Sequence, residues 1–576
     1  MTWAEHAQRP SRTPVWIVEA DLDWNDDPTI QPVNDEGTLC YRTPATTDQG
    51  PRAITTRTRR WQSATVRPMP GIAAIPCVQS VSIGSEEIRL GRGLSYFGQA
   101  TIELSDFVDD DRRAEDPFAG HPSRNGLDPE AGTYLTKMMA RNPYWTGRPI
   151  RLIAGWATDG VWHPDDTQTH VYFIRDVQGP SQGKLRLTAV GPLQQISLNE
   201  AEAPAPSQGR LAANLTAGST AAAIHDPVIA EDYPVSGFLR IGDEVVAFTR
   251  AGSALNLTRS QLGTAADKHE SDDALQLVLR YQSQPLTTIL ADLLTTYGHA
   301  APALLDIAGW AIEQAEWLPA YNLSGTISTP TKVLDLVQEL LEASGCVLWW
   351  DDAGGTLRLR AIRTVMPAQA AWGDALHLLG RPEVKRDMAE RVSRTDILLD
   401  LRSAALDPKE ASSYRLRVVG IPSGESPAEH GSAKPKLLAS RWLAVNQVTL
   451  ATRAAFLISA QLRNGRTTIQ TEVSAKDADL RLGDVVTLTS QDLIDRTGPP
   501  ESMRCVIVRR EPIAAGGRYR YSLQPLPSFR RAAIITPSVH PDYDHSTSLQ
   551  KEQWAYIGAN TPPFFPDNGQ PYRITE

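Results

Sequence analysis

Apolar and polar residues alternate along several short stretches of the first 200 residues, and a period of two predicts strands. Val15 to Leu22, Val78 to Ile83 and Ala100 to Leu104 carry the pattern. So do Ile150 to Trp156, Val171 to Val177 and Leu185 to Ala189, with Gly179 and Gly183 at a turn between the last two. Residues 25–58 and 106–147 lack periodicity and read as long excursions, with one short helix at Gly132 to Ala140. Residues 201–218 are rich in Ala, Pro and Ser, as linkers are. Tyr233 to Leu277 reads as two short strand pairs with glycine turns. It ends in a cassette of Arg259, Gln261, Gly263, Thr264 and His269, which reads as turn-fixing.

The period then changes to that of a helix. Leu286, Ile289, Leu290, Leu293, Leu294 and Tyr297 share one face between Pro285 and Gly298. Val333, Leu334, Val337, Leu340 and Leu341 make a second helix, with Thr329 and Pro330 as cap and first turn and Gly345 as stop. Val347 to Arg360 predicts a hairpin turning at Gly354 and Gly355. Leu450, Ala454, Leu457, Ile458 and Leu462 fit a third helix. Leu480 to Thr489, Val506 to Arg509 and Tyr519 to Gln524 read as strands.

Together these segments predict an α+β fold, mainly β. A first β-barrel with long loop insertions covers residues 1–200, and a small β insertion module 201–280. A helix-and-hairpin α+β unit covers 281–379, a second β-barrel 380–529 and an extended tail 530–576. Five segments suit 576 residues at about 100–200 residues per domain. No apolar run reaches the roughly 20 residues of a membrane helix, and no secretory signal is visible at the N-terminus.

Charge and chemistry narrow the picture further. The net charge of −10 argues against a specific nucleic-acid binder, which carries a basic stripe. It suits a channel through which DNA passes without sticking. Cys40, Cys77, Cys346 and Cys505 lack metal-ligand spacing and read as separate thiols. A cluster assembled from distant cysteines is the minor alternative. Asp106, Asp109, Asp110, Asp111, Glu115 and Asp116 lack the spacing of a calcium loop, and Arg112 and Arg113 interrupt them. His540, Asp542, Asp544 and His545 lie in the tail and read as a polar turn. Glu313 and Glu316, near Trp310 and Trp317, are the sole pair suggesting a glycosidase, and core packing of the tryptophans competes with that reading. Trp349 and Trp350 should face opposite sides of a strand, one core and one interfacial. No catalytic, cofactor or metal site is assigned.

Several motifs occur in an order that resembles the baseplate hub, or tail tip, family of long-tailed bacteriophages. MMARNPYWTGRPIRLIAGW and VYFIRDVQGPSQGKLRLTAVGPLQQISLNEAEAPAPSQGRL resemble that family's first barrel. The cassette matches its R-G-Q-x-G-T-x-A-x-x-H form, with Ser260 in place of the glycine. STPTKVLDLVQELLEASGCVLWWDDAGGTLRLRAIR resembles its helix-and-hairpin unit, and AKDADLRLGDVVTLTSQDLIDRTG its second barrel. PPFFPDNGQPYRITE resembles the family's ending. Of the family's N-terminal cysteine cluster only Cys40 remains. The resemblance implies a non-enzymatic virion protein at the tail tip, a homotrimer. Its partners would be the distal tail protein, the tape-measure protein and the central fibre, with DNA passing through the lumen. A tail-tip cell-wall hydrolase or carbohydrate-binding component is the alternative.

Overall fold

The computed structural model describes residues 12–24, 55–66, 73–84, 86–95, 98–109, 132–141, 145–158, 161–163, 167–319, 321–363, 366–422, 432–477, 479–494, 498–514 and 518–526. Seven strands near the N-terminus close on themselves. They are β1 (Arg12–Trp24), β2 (Thr55–Ser63), β3 (Ile75–Gly84), β4 (Gln99–Ser105), β5 (Pro149–Thr158), β6 (Gln168–Ser181) and β7 (Lys184–Val190). They pair in the order β1-β2-β3-β4-β7-β6-β5, and β5 returns to β1. Ile17 lies opposite Gln62 on one side and Ile153 on the other. Closure removes both sheet edges. Alternation decides what faces inward: Ala100, Ile102 and Leu104 of β4 are buried, while Thr101, Glu103 and Ser105 are partly open. Val18, Leu22, Trp61, Leu185 and Leu187 join the same core. Side chains fill the barrel, as they do in barrels of about eight strands.

β2 begins inside the stretch read as an excursion. Trp61 is its one large apolar residue, so there is no alternation to read. Its polar face is held by ion pairs instead. Arg60 Nε donates to Glu19 at 2.6 Å and Thr58 Oγ1 to Asp21 at 2.7 Å. Arg151 of β5 reaches Glu19 at 2.9 Å and Asp21 at 2.7 Å. The predicted helix appears as α1 (Tyr134–Arg141).

The middle of the chain carries a six-stranded sheet. β8 (Ala221–Ala223), β9 (Ser236–Ile241), β10 (Glu244–Ala251), β11 (Ala254–Thr258), β12 (Gln276–Pro285) and β13 (Asn322–Ile327) pair as β8-β11-β10-β9-β12-β13. Around it lie α2 (Pro192–Leu198), α3 (Leu286–Asp292), α4 (Ile307–Trp317), α5 (Val333–Ser344) and the hairpin β14 (Cys346–Asp351) with β15 (Thr356–Ala361). α3 continues as a π-helical turn over Leu293–Tyr297. α5 starts at Val333, not at Pro330, because Thr331 and Lys332 pair with Glu202 and Ala203. Gly345, at φ +66°, ends the helix in the left-handed conformation that suits glycine.

The C-terminal part contains β16 (Ala370–Gly373), β17 (Glu383–Asp387), β18 (Arg394–Leu401), β19 (Tyr414–Gly420), β20 (Pro435–Ala439), α6 (Val448–Leu462), β21 (Arg466–Ser474), β22 (Val485–Ile494), β23 (Pro500–Ala514) and β24 (Arg518–Pro525). A second six-stranded sheet runs β16-β22-β23-β24-β21-β17. Its two outer strands follow one another in the chain. The connection between them pairs Leu378 with Val473, and Leu379 N donates to Glu472 O at 2.8 Å, so the chain itself bridges the sheet's two edges. Residues 394–462 depart from the expected second barrel. β18, β19 and β20 form their own sheet. Ile397, Leu399, Trp442, Ala451 and Ala454 share a core with Leu336, Leu340 and Trp350. The second sheet packs on the first barrel: Trp372, Val486, Leu488, Ile507 and Tyr521 belong to one core with Val18, Trp61 and Leu187.

Candidate functional site

The two barrel-like sheets and the β14–β15 hairpin meet at a buried polar junction. Its geometry follows from the hairpin, whose turn delivers Asp351 and Asp352 beside β6. Trp350 Nε1 donates to Val171 O at 3.0 Å, and Val171 N to Asp352 O at 3.0 Å, which pins the turn to the barrel. The Asp352 carboxylate accepts from Tyr172 Oη at 2.8 Å and lies 2.8 Å from His170 Nδ1. Burial raises the Asp352 pKa, but the His170 charge and the hydrogen bonds outweigh it and bring it to about 2. Glu86 faces it from the segment after β3. Its Oε2 accepts from Trp350 N at 2.8 Å and Ser95 Oγ at 2.9 Å, while Oε1 is buried with no hydrogen-bond partner among the described residues. Burial, with the Asp352 and Asp351 charges, pushes Glu86 up to about 8.

The second sheet closes the junction. Arg510 Nε donates to Tyr521 Oη at 3.1 Å and Nη2 to Gln168 Oε1 at 2.9 Å, joining β23 to β6. Arg481 Nη1 lies 3.5 Å from Asp351. Arg466 Nη2 pairs with Glu87 at 2.6 Å, and Ile88 N donates to Val508 O at 2.8 Å. The cavity left inside is about 20 Å³, room for a water and not for a ligand. The arrangement is a clamp between the first barrel and the second sheet.

The cassette makes a second polar centre, around a residue that sequence reading missed. Glu244, at the start of β10, is fully buried and accepts five hydrogen bonds. They come from Arg259 Nε (2.9 Å) and Nη2 (2.6 Å), Ser260 N (3.0 Å), Asp267 N (3.2 Å) and His269 Nε2 (2.9 Å). Burial opposes ionisation, but these donors, Arg259 foremost, hold the carboxyl at about 2. Thr264 Oγ1 accepts from Val245 N at 3.0 Å and donates to Gln261 O at 2.7 Å. Gly263, at φ +80°, sits where a Cβ would meet Arg402 O at 2.4 Å. Only glycine lets the cassette lie against the loop after β18, where Ala404 N donates to Leu262 O at 3.1 Å. The cassette therefore fixes a turn and docks the insertion module.

The other candidates are structural. Glu313 is buried on α4, accepting from Ala361 N at 2.7 Å and pairing with Arg363 at 3.2 Å. Arg363 lies over the Trp317 ring at 4.1 Å, and Glu316 is exposed. Trp349 and Trp350 do point to opposite sides, but both are buried, so neither is free for a partner. Trp349 packs with Val485, Val506 and Val508 of the second sheet, and Trp350 with the α5 core. Asp106 accepts from Leu135 N at 2.9 Å, tying β4 to α1. Asp110, Asp111, Glu115, Asp116, Cys40 and the His540–His545 group lie outside the described residues. Cys77, Cys346 and Cys505 are buried, each in an apolar cluster. Burial pushes the Cys346 and Cys505 thiols up to about 12. Among the described residues no group of three or more His, Cys, Asp or Glu is placed to hold a metal, and no helix is long and apolar enough to cross a membrane.

No protein-family model matches the sequence, and no curated protein matches it. Solved structures with a similar fold include phage and prophage tail proteins. A tail protein from Neisseria meningitidis is 11% identical, with 77% of this chain and 91% of that one covered, at a TM-score of 0.36. The 43 kDa tail protein of a Shewanella oneidensis prophage is 10% identical, covering 77% and 93%, at 0.33. A chain of a native gene transfer agent virion is 18% identical, covering 44% and 50%, at 0.29.

Proposed function

We propose that this chain is a structural virion protein, the baseplate hub of a long non-contractile tail. The observation that carries the reading is the pair of barrel-like sheets locked into one core by the Arg510, Arg466 and Trp350 contacts. Two barrels per chain give six similar positions around a threefold axis. A ring of three copies would thus meet a sixfold tube on one face and a threefold fibre on the other. The first barrel is filled, so the lumen of such a ring lies between barrels rather than inside one. A net charge of −10 suits a wall along which DNA slides without binding. In this reading the ring contacts the distal tail protein, the end of the tape-measure protein and the central fibre, and it gates the lumen before DNA release. The polar junctions position the barrels and do no chemistry.

A particle reconstruction tests this. The expected result is three copies around the tail axis with both barrels against the lumen. A chain found off-axis, or one that sediments as a monomer at high concentration without associating with tails, would overturn the assignment.

A further inference from the structure

A cleft of about 460 Å³ opens where the cassette, the β12–β13 edge and the loop after β18 converge. Its size falls within the roughly 300–1,000 Å³ range of small-ligand sites. Four arginines line it, Arg280, Arg402, Arg415 and Arg441, with Asp400 as the one acidic residue among the lining. Two of them are already committed. Arg415 pairs with Asp400 at 3.3 Å, and Arg441 with Glu339 at 3.1 Å. The other two have no carboxylate partner among the described residues. Arg280 lies over the Phe238 ring at 5.1 Å, and Arg402 uses Nε on Tyr414 O at 3.1 Å. Both keep terminal N–H groups for an incoming acceptor.

Backbone strain marks the same place independently. Leu262 (φ 53°), Ser283 (φ 46°) and Asp400 (φ 62°) all line the cleft in the left-handed region, which costs non-glycine residues energy. They come from three separate elements. Ser283 sits in the bulge between Tyr281 and Gln284, and Asp400 falls between the β18–β19 pairs at Leu399 and Leu401. Strain of this kind persists where the surroundings impose it, and it gathers at binding sites.

We propose that this cleft binds an oxyanion, carboxylate or phosphate, carried on a hydroxylated ligand such as an acidic sugar. Arginine forks match planar and tetrahedral oxyanions. Gln282, Ser283, Ser324 and Thr326 add neutral donors and acceptors beside them, which suits hydroxyl groups. The proposal is independent of the hub assignment, since it concerns one chain and no ring contact.

Calorimetric titration of the full chain tests it. The probes are oligogalacturonate, oligo(glycerol phosphate), neutral dextran and oligoglutamate. Galacturonic acid and inorganic phosphate show whether the anion alone suffices. One saturable site for an acidic carbohydrate is expected, with none for dextran. Arg280→Gln and Arg402→Gln should each weaken it about tenfold or more, the loss of one charge-assisted hydrogen bond. Arg280→Lys should keep part of the affinity, and unchanged melting curves would show the variants folded. Absence of binding by every acidic carbohydrate would overturn the proposal, as would binding that both glutamine variants leave intact. Equal or tighter binding of oligoglutamate would replace it with an acidic-peptide site.

Discussion

Glu244 shows how much one buried charge can organise. Its five donors come from four residues of the cassette, and no water-facing atom is left to share the charge. Replacing it with glutamine strands Arg259, whose side chain is 8% exposed. Breaking a buried pair in this way costs about 3–5 kcal/mol. Glu244→Gln should therefore open the insertion module, read as early proteolysis between residues 201 and 280 while the first barrel and the second sheet resist. Because its carboxyl titrates near 2, below the ordinary 4.5, the stabilisation it provides is full above about pH 4.5. It is lost as pH falls toward 2, so module protection should fade on acidification. Ser260 carries the opposite lesson. It holds φ 57°, in the left-handed region, and Ser260→Gly should raise the module's stability by up to about 1 kcal/mol in a thermal melt, the relief of strain being partly offset by glycine's greater freedom in the unfolded chain. The turn role of the cassette was legible in the sequence. Its acceptor was not, because Glu244 lies 15 residues before Arg259, on a different strand.

At the scale of elements, the hairpin β14–β15 is the wedge that holds two sheets together, and Glu86 makes its grip depend on pH. The carboxyl is held at about 8, so between pH 4.5 and 8 the folded protein keeps a proton that the unfolded chain has lost. Stability from this group consequently falls as pH rises across that window. Asp351 and Asp352 face Glu86 from the hairpin, His170 and Tyr172 from β6, and Arg481 and Arg510 from the second sheet. Ionising Glu86 adds a negative charge next to Asp352, which is already ionised. Glu86→Gln should melt with less pH dependence between 5 and 9, and above pH 8 it should outlast the native chain. A variant that melts in parallel with the native chain at every pH would contradict this. Elements with strong periodicity, such as α5 and β4, were readable because their own residues decide burial. β2 and the start of α5 were not, because a partner strand decides them: Glu19 and Asp21 for β2, and Glu202 and Ala203 for Thr331 and Lys332. Trp349 also defeated local reading, since the face it covers belongs to a sheet more than 100 residues later.

Among the described residues, one edge strand of the second sheet, β17, stands fully exposed. Its residues pair with β21 on one side, and among the described residues nothing pairs with the other. Leu376, Leu379, Val384 and Met388, on or beside it, are 73%, 50%, 41% and 47% exposed. An open strand edge flanked by large apolar side chains invites pairing with another chain. The opposite situation holds in the first barrel, where closure leaves no edge. If three copies form a ring, this edge is where the second sheet of one copy would meet the next. Leu379→Glu with Val384→Glu alters side chains that face solvent in the isolated chain, so its melting curve should stay close to native. Assembly should respond differently, because two carboxylates per copy would then be buried at each junction, a cost of several kcal/mol per ion. Sedimentation of the native chain should show the trimer, and of the double variant the monomer. A double variant that still assembles would place the ring contact on another face and leave β17 for a different partner.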